Sequence, residues 1–111
     1  MNFTFSDLDE KLQKSIKVLG YLQPTEVQIK TAPLITANRD VMVRAQTGTG
    51  KTAAFALPIL HRLLSKKIKN LDISALILTP TRELAQQVHK NFCDYAQFTD
   101  LSIGLVHGGV S

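Results

Sequence analysis

Cysteine is nearly absent from this sequence, tryptophan is missing altogether, and aromatic residues make up only 6% of it. The single cysteine, Cys93, excludes an internal disulfide and any metal site built on a cysteine pair. No run approaches the roughly 20 apolar residues of a membrane-spanning helix. The opening residues, Met1 to Asp7, have neither a basic region nor an apolar stretch, which excludes a secretory signal and makes a cytoplasmic location the expectation. Internal repeats, low-complexity tracts and Pro/Gly/Ser-rich linkers are also lacking. What remains is 111 residues, 44% hydrophobic and 20% charged. That is too apolar for a disordered chain and too short for two full domains.

Thirteen Lys and Arg face nine Asp and Glu, a formal charge of +4. A basic excess suits phosphate-bearing partners, because each neutralised phosphate releases counterions. It equally suits a mildly basic surface with no such partner. The densest cluster, Lys66-Lys67-Ile68-Lys69, reads as a solvated turn after a helix.

Helical spacing of apolar residues predicts a first helix from about Lys11 to Leu19, with Leu12, Ile16 and Leu19 on one face and Gly20 as its stop. A second is expected from Thr25, with Pro33 kinking or breaking it, and a third over Ala53 to Leu64, bent at Pro58. A fourth runs from Arg82 to about Ala96, carrying Leu84, Val88, Phe92 and Tyr95. Asp40 to Ala45, Ala75 to Leu78 and Leu101 to Val106 read as strands, the Leu76-Ile77-Leu78 run as one buried on both faces. Strands alternating with helices imply an α/β fold with a parallel sheet. Three strands are few for such a sheet, so the expectation is an incomplete domain.

Ala45-Gln46-Thr47-Gly48-Thr49-Gly50-Lys51-Thr52 lies between an expected strand and an expected helix, the context of a phosphate-binding loop G-x-x-x-x-G-K-[ST] with Ala45 in place of the first glycine. Gly48 and Gly50 free the backbone so that successive N–H groups converge on phosphates, and the positive end of the helix adds to the field. Lys51 would place its charge on the β and γ phosphates, and the Thr52 hydroxyl would ligate Mg²⁺. Upstream, Thr25-x-x-Gln28 has the form of a capping box. The Gln28 amide also presents the donor and acceptor that match the N6 and N7 edge of adenine. The two uses draw on the same atoms. At Pro80-Thr81-Arg82 a strand hands over to a helix, which is either a capped turn or a phosphate-backbone site. Gly108-Gly109 is either a turn or a point of close approach for a sugar-phosphate chain.

Gly20-Tyr21-x-x-Pro24-Thr25-x-x-Gln28, the Ala45 to Thr52 loop, Pro80-Thr81-Arg82-Glu83-Leu84-Ala85 and Gly108-Gly109, in this order, resemble the start of a DEAD-box RNA helicase. The resemblance covers nearly the whole chain. It implies a RecA-like P-loop NTPase domain of which residues 1–111 form the N-terminal portion, with a Q motif over about 5–28, the phosphate loop at 45–52, an RNA-contact motif at 80–85 and the glycine pair at 108–109. It further implies ATP and Mg²⁺ as ligands, adenine sensing by Thr25 and Gln28, and sequence-independent contact of Pro80, Thr81, Arg82, Gly108 and Gly109 with an RNA backbone. An aromatic residue would stack on the adenine. Phe3 stands at the family's usual spacing before Gly20, whereas Phe5, in Phe-Ser-Asp-Leu, fits the local pattern and is preferred. No expected strand ends in Asp or Glu, so the carboxylate that holds Mg²⁺ and orients water is expected further along than this sequence runs, as is a second RecA-like domain. By itself the chain is expected not to hydrolyse ATP. A non-catalytic nucleotide or RNA-binding module and a related DNA helicase are the alternatives. His61 and His89 read as surface or internally bonded residues, His107 as a possible border of the RNA path, and Cys93 as a small core residue.

Overall fold

A computed structural model describes residues 3–46, 50–66 and 73–108. A short 3-10 turn, Phe5–Asp7, leads into four helices: α1 (Glu10–Val18), α2 (Glu26–Thr36), α3 (Lys51–Ser65) and α4 (Arg82–Tyr95). Each begins where its sequence provides a start signal. Asp9 accepts the Lys11 amide at the head of α1, and Thr81 accepts the Leu84 amide at the head of α4. Thr25 and Gln28 form a complete capping box on α2. Gly20, at φ +84°, follows the end of α1 in the left-handed conformation that glycine adopts without strain.

Helix α3 is the hub, packing against α1, α2 and α4. The core joins Leu8, Leu12 and Ile16 to Ala53, Ala56, Leu57 and Leu60 of α3, and to Val88, Phe92 and Tyr95 of α4. Leu12, Leu57 and Leu60 are fully buried, each contributing roughly 1.5–3 kcal/mol of transfer free energy. The Asp9 amide donates to His61 Nδ1 at 3.0 Å, pinning the head of α1 to α3. The Tyr21 and Tyr95 hydroxyls meet at 3.2 Å, holding the turn after α1 to α4.

The structure departs from the sequence expectations at several points. Pro33 lies inside a continuous α2, so it does not break that helix, and Pro58 lies inside α3. Pro58 is fully buried, and packing of α3 on three sides offsets the lost backbone bond. The three expected strands form no ladder among the described residues. No backbone hydrogen bond joins any two of the segments around residues 41–46, 73–79 and 101–107. A strand exists only through bonds to a neighbour, and none of these segments has one here. The Leu76-Ile77-Leu78 run is correspondingly not buried on both faces: Leu76 is 76% and Leu78 84% exposed, while Ile77 packs on the core. Cys93 is exposed rather than in the core, because it lies about 100° around α4 from buried Phe92. No helix among the described residues is long and apolar enough to cross a membrane.

Candidate functional site

Helix α3 starts differently from the other three. Its N-cap is Gly50, at φ +80°, with no side-chain cap and no acidic residue in the first turn. The first-turn N–H groups of any helix lack intrahelical partners, and among the described residues no side-chain cap bond supplies one here. Lys51, exposed, and Thr52, half-buried, stand on that turn. An uncapped helix head with a cation and a hydroxyl beside it fits an anionic ligand of the phosphate type. Thr47, Gly48 and Thr49 of the loop lie outside the described residues, while Ala45 is half-buried and Gln46 exposed.

The capping box of α2 closes directly on this helix head. Gln28 is buried, with its Oε1 accepting the Thr25 amide at 3.0 Å and its Nε2 donating to the Gly50 carbonyl at 3.2 Å. The Gln28 amide and Thr25 Oγ1 complete the box at 3.4 Å. Both arms of the bland reading are thus present, together with a contact the sequence did not foretell: the glutamine ties the cap of α2 to the last glycine of the phosphate loop. This bond explains Gly50 on two grounds. Its φ favours glycine, and a Cβ there would sit 2.5 Å from Gln28 Nε2 and 3.1 Å from the Thr25 side chain. A primary amide carries two N–H donors and an oxygen with two lone pairs, so capping and the Gly50 bond leave one N–H and one lone pair unspent.

Phe3 and Phe5 meet edge to face, with centroids 6.3 Å apart, and both pack partly on the core. Between α2, α3 and the segment at 41–43 lies a cavity of about 290 Å³ bordered by Thr31, Val41, Val43, Lys51 and Phe55. It opens beside Lys51, on the same helix turn as the candidate phosphate site.

A second concavity, of about 350 Å³, brings together Pro80, Thr81, Arg82, Val106, His107 and Gly108. The sequence places these residues in two separated motifs, and the fold sets them around one space. Thr81 caps α4, so the turn reading holds for its hydroxyl oxygen. Arg82 is exposed and has no ion-pair partner among the described residues. Around Gly108 a Cβ would meet nothing within 4 Å, so packing does not require a glycine there. Gly109 lies outside the described residues. His61 and His89 are engaged internally, His61 with the Asp9 amide and His89 Nε2 with the Ile103 carbonyl at 3.0 Å. No cluster of three metal-ligating side chains occurs among the described residues.

The family model for DEAD/DEAH box helicases matches residues 25–111. An Arabidopsis thaliana protein, DEAD-box ATP-dependent RNA helicase 28, is 48% identical over 95% of this chain, which spans 13% of that protein. The RNA helicase CrhR of Synechocystis is 46% identical over 97% of the chain, here 22% of the relative's length. Among solved structures, an ADP-bound RNA helicase from Chaetomium thermophilum superposes with a TM-score of 0.85 at 37% identity, covering 99% of this chain and 27% of that one. A DEAD box protein from Methanococcus jannaschii gives a TM-score of 0.78 at 31% identity, over the whole of this chain and 31% of its own. The fold is that of the RecA-like domain of such helicases, and the chain, matched by the family model over residues 25–111, belongs to the DEAD/DEAH box helicase family.

Proposed function

We propose that this chain is the front portion of the first RecA-like domain of an ATP-dependent RNA helicase, contributing the adenine end, the phosphate loop and part of the RNA track. The observation that carries this reading is the Gln28 Nε2 bond to the Gly50 carbonyl, which joins a base-reading side chain to the phosphate loop. ATP would lie with its phosphates at the α3 head, on the amides of that turn and Lys51. Its adenine would lie toward Gln28, whose remaining N–H and lone pair would meet N7 and N6. Phe5, with Phe3 beside it, is the proposed stacking surface. Mg²⁺ would be held by the phosphates and Thr52 and would neutralise charge on the transferred phosphoryl group.

The extended segments at 41–46, 73–79 and 101–107 are proposed as strands of the parallel sheet. Ile77, Leu101 and Ile103 lie on the core while Leu76 and Leu78 face outward, the alternation a strand would show. The concavity at Arg82 and Gly108 is proposed to contact a single RNA strand through its backbone, with Pro80 and Thr81 beside it. Such contacts carry no base information. ATP-driven closure onto a second domain would grip and bend that strand, opening short duplexes.

The decisive experiment uses the intact protein. ADP should bind at least tenfold more tightly than GDP, and single-stranded RNA should stimulate ATP hydrolysis. Equal affinity for ADP and GDP, with no RNA-stimulated turnover, would refute the assignment.

A further inference from the structure

We propose that His107 reads the ribose 2′-hydroxyl and so helps the RNA-facing concavity to prefer RNA to DNA. This rests on the reading of that concavity as an RNA-contact surface. The ring borders the same space as Arg82 and Gly108. Its Nδ1 lies 3.1 Å from the Gly108 carbonyl oxygen. A carbonyl can only accept, so Nδ1 must carry the proton. In the neutral ring Nε2 then bears a lone pair, and it has no hydrogen-bond partner among the described residues.

The chemistry of the lone pair selects its ligand. Phosphate oxygens are acceptors and gain nothing from a second acceptor, whereas Arg82, which borders the same concavity, supplies donors suited to them. The ribose 2′-hydroxyl has a proton to give, and it is the group by which a protein distinguishes RNA from DNA. The Nδ1 bond to the next residue's carbonyl leaves Nε2 as the acceptor of the neutral ring.

The test measures equilibrium binding of the intact protein, with a non-hydrolysable ATP analogue, to oligouridine strands of equal length bearing 2′-hydroxyl, 2′-deoxy or 2′-O-methyl sugars. His107→Phe keeps a ring of similar size and removes both nitrogens. It should weaken binding of the hydroxyl strand by about three- to tenfold, the worth of one hydrogen bond. Binding of the deoxy and O-methyl strands should change by less than about twofold, since those losses would need a contact they cannot make. His107→Gln, whose amide can place an oxygen near the Nε2 position, should recover much of the loss. ADP affinity is the folding control, and if His107→Phe lowers it, the His107→Gln variant and the three-sugar comparison on the unmutated protein decide. Equal losses on all three strands would make His107 a backbone or structural contact and overturn the proposal. No loss on the hydroxyl strand, with Arg82→Ala still weakening every strand, would overturn it while leaving the RNA-contact reading intact. If Arg82→Ala changes nothing either, the concavity itself is misassigned.

Discussion

Gly50 joins the head of α3 to the capping box of α2, where the nucleotide is proposed to lie. It caps α3 in the left-handed conformation and offers its carbonyl to Gln28. Gly50→Ala adds about 1–2 kcal/mol of backbone strain and drives a methyl group into the Gln28 amide, 2.5 Å away. The expected outcome in the intact protein is loss of ATP binding by more than tenfold, with a lowered Tm in a thermal melt; unchanged nucleotide affinity would show that the Gln28–Gly50 link is dispensable. Lys51→Ala leaves that link untouched and removes only a charged contact, worth about 1.5–3 kcal/mol. ATP affinity should fall by about ten- to a hundredfold and turnover should vanish, with the melting curve unchanged. Steady-state ATPase assays with saturating RNA check this, and full activity in the variant would remove Lys51 from the phosphate site.

At the scale of an element, α4 is capped at its start by Thr81 and anchored in the core by Val88, Phe92 and Tyr95. Thr81→Ala removes the oxygen that accepts the Leu84 amide at 3.1 Å and should cost about 1 kcal/mol in denaturant unfolding of the intact domain. Thr81→Ser, which keeps the oxygen, should cost far less. The other end holds a buried phenol. Burial, then the hydrogen bond with Tyr21, then the charges of Tyr21 and Asp94, raise the Tyr95 pKa above its ordinary value. A phenol whose folded pKa is raised contributes stability that is complete below the unfolded value near 10 and is lost as pH rises through the folded one. Unfolding free energy should therefore decline above about pH 10, and Tyr95→Phe should flatten part of that decline. A decline of the same slope in the variant would place the alkaline sensitivity elsewhere.

Over the molecule as a whole, the helices bury one side of the extended segments and leave the other bare. Met42 is 99% exposed, Leu78 84% and Val106 94%. Large exposed apolar groups along unpaired extended backbone favour association. The chain expressed as these 111 residues should self-associate in sedimentation or size-exclusion measurements, and the tendency should fall when Met42, Leu76 and Leu78 are replaced by Thr. A strictly monomeric chain at high concentration would contradict this. The same chain should show no RNA-stimulated ATPase above background. Phosphoryl transfer depends on positioning and charge stabilisation, and among the described residues Lys51 and Thr52 stand at the α3 head with no acidic residue on that turn.

Local pattern was enough to locate all four helices, since caps such as Thr25 and Thr81 and stripes such as Leu12–Ile16 or Val88–Phe92 act within a few residues of themselves. It was enough, too, to assign the chain to its family, because the motifs that carry the resemblance are contiguous. It overreached at Cys93, where adjacency to Phe92 says nothing about which side of α4 a residue occupies. The strand expectations depended on neighbours that periodicity cannot supply, as the exposed Leu76 and Leu78 show. Two features belonged to tertiary structure alone: the Gln28–Gly50 bond, across 22 positions of sequence, and the meeting of Arg82 with His107 around one space. Hydrogen bonds and cavities form between surfaces that folding brings together, and nothing in the order of residues along the chain fixes that distance.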